Sequence, residues 1–517
     1  MKKILALLLC CAMGLSLLCG CTTTEEVYVP TGDALVDEDA LITEPTLAEE
    51  DDPSDQDLSL IYYPEETLNP LKSNDYTNKV LFSLMFQGLF ITDRDYNVQP
   101  ILCGRFTRAD DLRSYTFYID ENARFSDGSP VTAEDVLASL EAAEDSKVYG
   151  ARFNKVRNMF ITESGGVCLA LSTPMENLPI LLDVPIMKAN QLEYDTPVGT
   201  GPYKLSRTTT GLQLIKNDNW WCSAEMAVTA AVIPLVEAEN NIQIRDEFQF
   251  GDLGLVQADP GSDRYADYRC DYEVWDVDNG IFLFMIVNKE SELFSRPSLR
   301  TALSKSIDRE SIVTEYYRDF AMPASLPCSP KSPYYNNKLA AKYDYEPGAF
   351  EKAVKEAGIV NWNVTIICNS EDTLRVRLAN DLAEIFKSAG LLVTIETYSG
   401  NNLLYWLNNG EYDLYLGQTK LAPNMDLSPF FSTNGTLAYG GLSDMATFTL
   451  CQQSLENHGN FYTLHQHVMD NGYLCPILFR SYAVYATRGL LTNLTPARDW
   501  VFYYTIGKTM EDIYEWE

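Results

Sequence analysis

The side chains able to react with a substrate or hold a metal are few, and their spacing spoils most of them. Gly507-Lys508-Thr509 has the tail of a phosphate-cradling loop, but the glycine that must open such a loop would stand where Phe502 is. The three histidines are His458, His465 and His467. The last two would point to different sides of a helix, and no carboxylate or cysteine stands at ligand spacing from them. No G-x-S-x-G elbow occurs, and no histidine precedes His458 to serve a serine or cysteine nucleophile. Acidic pairs such as Asp51-Asp52 and Asp110-Asp111 are too common in so acidic a chain to mark a glycosidase couple. The expectation is a protein that catalyses nothing and uses no metal or cofactor.

The composition narrows the partners. Across 517 residues, 73 Asp plus Glu oppose 39 Lys plus Arg, for a net charge of -34. Such a chain is repelled by phosphate backbones, which excludes a general nucleic-acid binder. Lys2 and Lys3, the apolar run Ile4 to Leu18, and Leu18-Cys19-Gly20-Cys21 form an export signal over residues 1–20. Its last residues resemble a bacterial lipobox in which Cys21 is acylated and becomes the new N-terminus, although Cys19 departs from the usual small or aliphatic residue. The expectation is a chain held on the membrane by lipid on Cys21, with its body outside the cytoplasm. Residues 21–57 read as a solvated tether: Thr22 to Asp57 holds thirteen acidic residues and no Lys or Arg. Removing Lys2, Lys3 and those thirteen acids leaves -23 for residues 58–517. Of twelve cysteines, eight lie between Cys103 and Cys475 without a C-x-x-C pair, and they read as buried thiols filling core space.

The elements that must position any site alternate between the two periods. Leu58 to Tyr63 reads as a strand, and Val80, Leu81, Leu84, Met85, Gly88 and Leu89 predict a helix over about 78–89. Tyr115 to Ile119 alternates as a strand, Phe125 to Pro130 turns, and Thr132 with Asp135 caps a helix reaching about Ala143. Leu299, Ala302, Leu303 and Ile307 predict a helix after Pro297. Val364–Cys368, Glu371–Ala389 and Leu391–Thr397 form a strand, helix and strand, with Gly390 as the helix stop. The right-handed crossover makes those two strands parallel in one sheet. Tyr412 to Gly417 reads as a further strand ending in glycine, and open α/β sheets bind ligands at the carboxyl ends of their strands, so the Gly417 region is a candidate ligand edge.

Several segments in order resemble the bacterial family 5 solute-binding proteins, the oligopeptide and dipeptide receptors of ABC importers. Leu68-Asn69-Pro70-Leu71 looks like the family's "L-x-P" turn, and Leu84-Met85-Phe86-Gln87-Gly88-Leu89 like its "Y-E-G-L" helix. Tyr115-Thr116-Phe117 with Phe125-Ser126-Asp127-Gly128-Ser129-Pro130-Val131-Thr132-Ala133-Glu134-Asp135-Val136 is similar to its signature block. Gly199-Thr200-Gly201-Pro202-Tyr203, Asn219-Trp220-Trp221, Asn288, Leu299-Arg300-Thr301-Ala302-Leu303 and Ile307-Asp308-Arg309-Glu310 follow in the family's order. The resemblance implies an α/β, two-lobed periplasmic-binding-protein-like fold of class II, cluster C type, with an extra domain inserted in the first lobe. Lobe I would comprise 58–80, 197–280 and 481–517, the inserted domain 81–196, and lobe II 281–480. The lobes would be joined by crossing segments near Val277–Ile281 and Arg480–Ala483. Ligand would sit between the lobes and close a hinge, and the closed monomer would be presented to an ABC permease with its ATPase subunits.

For the peptide receptors of that family, an extended ligand pairs its backbone with both lobes while a carboxylate receives its ammonium. The resemblance carries two segments to this chain: Asn74, Asp75 and Tyr76 after the "L-x-P" turn, and Gly417, Gln418 and Thr419 on the second lobe. The family's ammonium-binding Asp follows that strand as "W-x-x-D", but here the chain runs Gly417-Gln418-Thr419-Lys420-Leu421-Ala422-Pro423-Asn424-Met425-Asp426, with neither Trp nor Asp in place. Asp426 could take the role, Asp75 could serve from the other lobe, or the ligand could lack an ammonium. The expected ligand is a peptide. The alternative is a non-peptide solute such as an oligosaccharide or metal chelate, with Tyr62, Tyr63, Tyr76, Trp406 and Tyr439 available to stack on sugars.

Overall fold

The structure, a computed structural model, describes residues 58–515 except 263, 264 and 266. The export signal, Cys21 and the acidic tether lie outside the described residues. Among the described residues no helix is long and apolar enough to cross a membrane.

Local signals set most of the elements near the amino end. Thr132 accepts from the Asp135 amide while the Asp135 carboxylate accepts from the Thr132 amide, a reciprocal cap that starts the helix Ala133–Glu144 where the sequence places it. The preceding turn carries Gly128 at φ +88°, and Asp127 is tied to Lys188. Strands Cys103–Arg108, Ser114–Ile119, Val167–Leu171 and Val156–Ile161 lie side by side, each antiparallel to its neighbour. The chain's last described strand, Tyr514–Glu515, returns to pair in parallel with Phe106 and Thr107 at the edge of that sheet.

The helix expected over about 78–89 is shifted: it runs Tyr76–Met85, and Asp75 caps it by accepting from the Asn78 amide at 2.9 Å. It stops before Gly88 because the chain must pass against another backbone there. A Cβ at Gly88 would lie 2.9 Å from the Phe90 carbonyl oxygen and 3.0 Å from the Val184 amide. The glycines of Gly199-Thr200-Gly201 have a related purpose. A side chain on either would strike the last turn of this helix, at 2.1 Å from the Met85 oxygen and 2.3 Å from the Leu84 oxygen. In their absence the Gly201 amide donates to the Met85 carbonyl at 2.9 Å.

A four-stranded sheet takes the order Leu60–Tyr62, Val232–Glu237, Leu212–Lys216, Tyr203–Arg207. The larger, seven-stranded sheet contains two long strands, Tyr272–Val287 and Leu474–Thr487, which run antiparallel beside each other. On one side lie Leu414–Lys420, Asn363–Asn369 and Leu392–Tyr398, and on the other Leu255–Ala258, with Ala321–Pro323 also pairing to Leu474–Thr487. The predicted strand, helix and strand is present as Asn363–Asn369, Thr373–Ser388 and Leu392–Tyr398, and its strands are parallel neighbours. Leu374, Leu378, Leu382 and Phe386 of the helix join Val364, Ile366, Leu414 and Leu416 of the sheet in one buried cluster. Arg300, on the helix Pro297–Lys305, is buried and donates to the Asn471 and Phe294 carbonyls, each at 2.7 Å, which pins that helix to the same body.

Candidate functional site

The two long strands lose register at one place. Tyr272–Asp278 pair with Thr487–Ser481, and pairing resumes at Phe282 opposite Phe479, leaving Asn279, Gly280, Ile281 and Arg480 at the irregularity. Gly280 adopts φ +68°, and a Cβ there would meet the Arg498 guanidinium at 2.1 Å. Asp278 holds the turn: one oxygen accepts from the Gly280 amide at 2.8 Å and the other from the Tyr96 hydroxyl at 2.7 Å.

Several of the sequence-derived residues converge here. Tyr76 stacks on Tyr482 of the second long strand, with centroids 5.2 Å apart, and its carbonyl accepts from Gln257 at 3.2 Å. Gln418 accepts from Arg480, two residues earlier on that same strand, at 3.1 Å. Arg480 also grips both oxygens of Asp259, at 2.8 and 2.7 Å. Burial alone would lower the Arg480 pKa, but Asp259 more than offsets it and raises the value, so the guanidinium stays charged. The strand expected to end at Gly417 instead runs Leu414–Lys420, because antiparallel pairing with the long strand continues through Thr419 opposite Phe282 and Lys420 opposite Ile281. Gly417 is therefore internal. Its lack of a side chain admits the Tyr415 ring, 2.6 Å from where a Cβ would sit.

The carboxylates considered for an ammonium already have partners. Asp75 is the cap of the helix Tyr76–Met85, and burial raises its pKa. Asp426 has one oxygen 3.8 Å from the Lys155 ammonium, while the other accepts from the Ser428 amide at 2.8 Å. Asn74 is exposed.

Beside the end of the Leu414–Lys420 strand lies a charged cavity that sequence reasoning missed. It is small, about 30 Å³, and is lined by Lys79, Arg152, Asp183, Lys420 and Asp499 together with Phe82, Tyr149 and Trp500. The Lys420 ammonium sits 2.5 Å from both oxygens of Asp499, and Arg152 pairs with Asp183. About a third of the Lys420 side chain remains accessible, and the residue lines the cavity. Surrounded by protein, its ammonium is lowered by burial to a pKa of about 7, with Asp499 opposing part of the shift. Burial would raise Asp499, but Lys420 and the cations beyond it hold the carboxylate well below its usual range. These residues are scattered along the chain, and only Lys420, directly after the candidate edge, had a local signal.

Residues 97–438 match the family model of bacterial extracellular solute-binding proteins, family 5 Middle. The glutathione-binding protein GsiB of Escherichia coli strain K12 is 25% identical over 333 residues, 59% of this chain and 62% of that protein. The chain thus spans less than two thirds of the curated relatives' length. The substrate-binding protein CtaP of Listeria monocytogenes superposes with a TM-score of 0.70 at 18% identity, covering 86% of this chain and 98% of that one. The putative peptide-binding protein AppA of Clostridium difficile also gives 0.70, at 17% identity and the same coverage. The fold is mixed α/β and two-lobed, as in those proteins, and the chain belongs to the bacterial extracellular solute-binding proteins of family 5.

Proposed function

We propose that this chain is the lipid-anchored solute receptor of an ABC importer, acylated at Cys21, which takes up a peptide between its lobes and delivers it to a membrane permease. Lobe I would comprise 58–80, 197–280 and 481–517, with 81–196 inserted and lobe II formed by 281–480. The register break at Asp278–Phe282 opposite Phe479–Ser481 would be the hinge. The observation that carries the reading is the convergence on the second long strand, where Tyr482 receives Tyr76 from one segment and Arg480 receives Gln418 from another. A ligand lodged there would touch both lobes and draw them together. Asn74, Asp75, Tyr76, Gly417, Gln418, Thr419 and Asp426 remain the proposed ligand-facing set, with Tyr76 and Gln418 at its centre. GsiB binds glutathione, a small peptide, and AppA is named for peptides, which supports this ligand class.

A second reading keeps the receptor and replaces the peptide with another small solute. It is favoured by the prior engagement of Asp75 and Asp426, which leaves neither carboxylate open to an ammonium. Native mass spectrometry of protein isolated from its own host, followed by release and identification of bound species, distinguishes the two. A mixture of short peptides is expected, and a single non-peptide species would overturn the peptide assignment.

A further inference from the structure

The charges around the cavity at the end of the Leu414–Lys420 strand do not balance. Four cations gather there: Lys79, Arg152 and Lys420 in the lining, and Arg498 directly behind, where it donates to the carbonyl of Leu421, the residue after Lys420, at 2.6 Å. Asp499 is taken by Lys420 and Asp183 by Arg152. The remaining nearby carboxylate, Asp278, already accepts from Tyr96 and Gly280. Set apart from the Lys420–Asp499 and Arg152–Asp183 pairs, Lys79 and Arg498 have only Asp278 nearby. Among the described residues the cavity's ion pairs are Lys420–Asp499 and Arg152–Asp183, and neither Lys79 nor Arg498 takes part in one. Arg498 is only 1% exposed, and its Nε and Nη1 have no hydrogen-bond acceptor. Buried guanidinium hydrogens without acceptors are costly, and a surplus cation is more so. In a protein of net charge -34, the excess is local and opposite in sign to the whole.

Building on the receptor reading above, we infer that the bound solute presents an anionic oxygen group, a carboxylate or a phosphate, to this cavity and that Lys79 and Lys420 in its lining recognise it, with the buried Arg498 adding positive potential from outside the lining. Phe82, Tyr149 and Trp500 form apolar walls around the charged groups, which removes competing water and strengthens the attraction. The cavity has room for about two water-sized spheres, which suits one such headgroup rather than a whole ligand. The rest of the solute would extend toward Gln418 and Tyr76. In this arrangement the polarity of peptide recognition is reversed, with the anchoring charge on the protein being positive.

The test uses the full chain, stripped of bound solute, and pooled tri- to pentapeptides in three forms: both termini unmodified, N-acetylated, and C-terminally amidated. Citrate, inorganic phosphate and neutral oligosaccharides are added as separate arms, with capture read by native mass spectrometry and affinity by calorimetry. Unmodified and acetylated peptides are expected to bind, with amidation weakening them on the order of 100-fold. Capture of phosphate but not of citrate or peptide acids would assign the group as phosphate. Amidated peptides binding as well as acids, or neutral oligosaccharides alone being captured, would overturn the anion inference and leave the receptor intact. Capture of nothing at all would overturn the receptor reading with it. Lys79→Met, at a partly exposed position, should reduce the preference for acid over amide at least about tenfold without moving the melting temperature. An unchanged preference in both Lys79→Met and Lys420→Met would remove these residues from recognition.

Discussion

At the scale of single residues, His465 is the group whose chemistry most contradicts its surroundings. It is fully buried, both ring nitrogens lack a hydrogen-bond partner, and Phe461 packs 5.6 Å from it. Burial lowers its pKa from 6.5 to about 3, so the folded protein keeps the ring neutral while the unfolded chain takes up a proton below 6.5. Its neutral form is therefore compatible with full stability above pH 6.5, and stability is lost progressively as pH falls from 6.5 towards 3. His465→Leu removes both unsatisfied atoms and the proton linkage. The variant should be more stable by roughly 1–2 kcal/mol at neutral pH and lose less stability on acidification. Denaturant titrations at pH 7 and pH 5 measure both effects, and parallel behaviour of variant and parent at the two pH values would contradict the assignment. The histidine pair was legible only as a poor metal site; that one member is sealed into the core depends on the packing of Phe461–Asn471 and could not be read from spacing.

At the scale of elements, Gly280 concentrates the demands on the register break between the two long strands. Its positive φ and the guanidinium 2.1 Å from where a Cβ would stand mean that Gly280→Ala must strain the backbone and displace Arg498. A lower melting temperature together with weaker solute binding is expected. Loss of stability with binding preserved would separate the turn from the site. At the other extreme, Thr132→Ala removes a surface cap remote from the cavity and should cost about 1 kcal/mol in denaturant unfolding while leaving affinity unchanged. These two positions also show what a sequence can disclose. The Thr132 cap and the apolar stripe Leu374, Leu378 and Leu382 were readable because the interactions that set them lie within a few residues. The helix starting at Tyr76 and the strand ending at Lys420 were misplaced by a few residues because backbone partners far along the chain, Val184 and Ile281, decide where they stop. The pairing of Lys420 with Asp499 was invisible for the same reason, and so was the return of Tyr514–Glu515 to the Cys103–Arg108 strand.

At the scale of the whole molecule, the contacts between segment 81–196 and segment 281–480 bear on the closing motion proposed here. The Glu176 amide donates to the Leu455 carbonyl at 2.8 Å, its carboxylate accepts from the His458 amide at 2.9 Å, and Lys155 faces Asp426. If the two segments belong to separate lobes as proposed, bonds of this kind would exist only with the lobes together and would bias the population toward the closed form. Glu176→Ala should increase the radius of gyration of the solute-free protein in small-angle scattering and weaken apparent affinity in proportion to the closed fraction lost. A variant with unchanged dimensions and affinity would show that these bonds do not latch the lobes. The seven-stranded sheet continues through both long strands, so closure would bend one shared sheet at its register break rather than swing two separate bodies on a loose linker.

The state of the cysteines has a practical consequence. All eight from Cys103 to Cys475 are unpaired, and six of them are buried. Burial pushes four of the thiols up, to about 11 at Cys368 and Cys475 and about 12 at Cys222 and Cys328, so at neutral pH these four carry their protons and are poor nucleophiles. A cysteine introduced on the open surface, for instance at Lys72 or Lys387, would therefore react with maleimide dyes far faster than the buried native thiols. With the partly exposed Cys222 and Cys270 replaced, the protein would be suited to carrying a pair of fluorescent labels, and the distance between its lobes could be followed one molecule at a time.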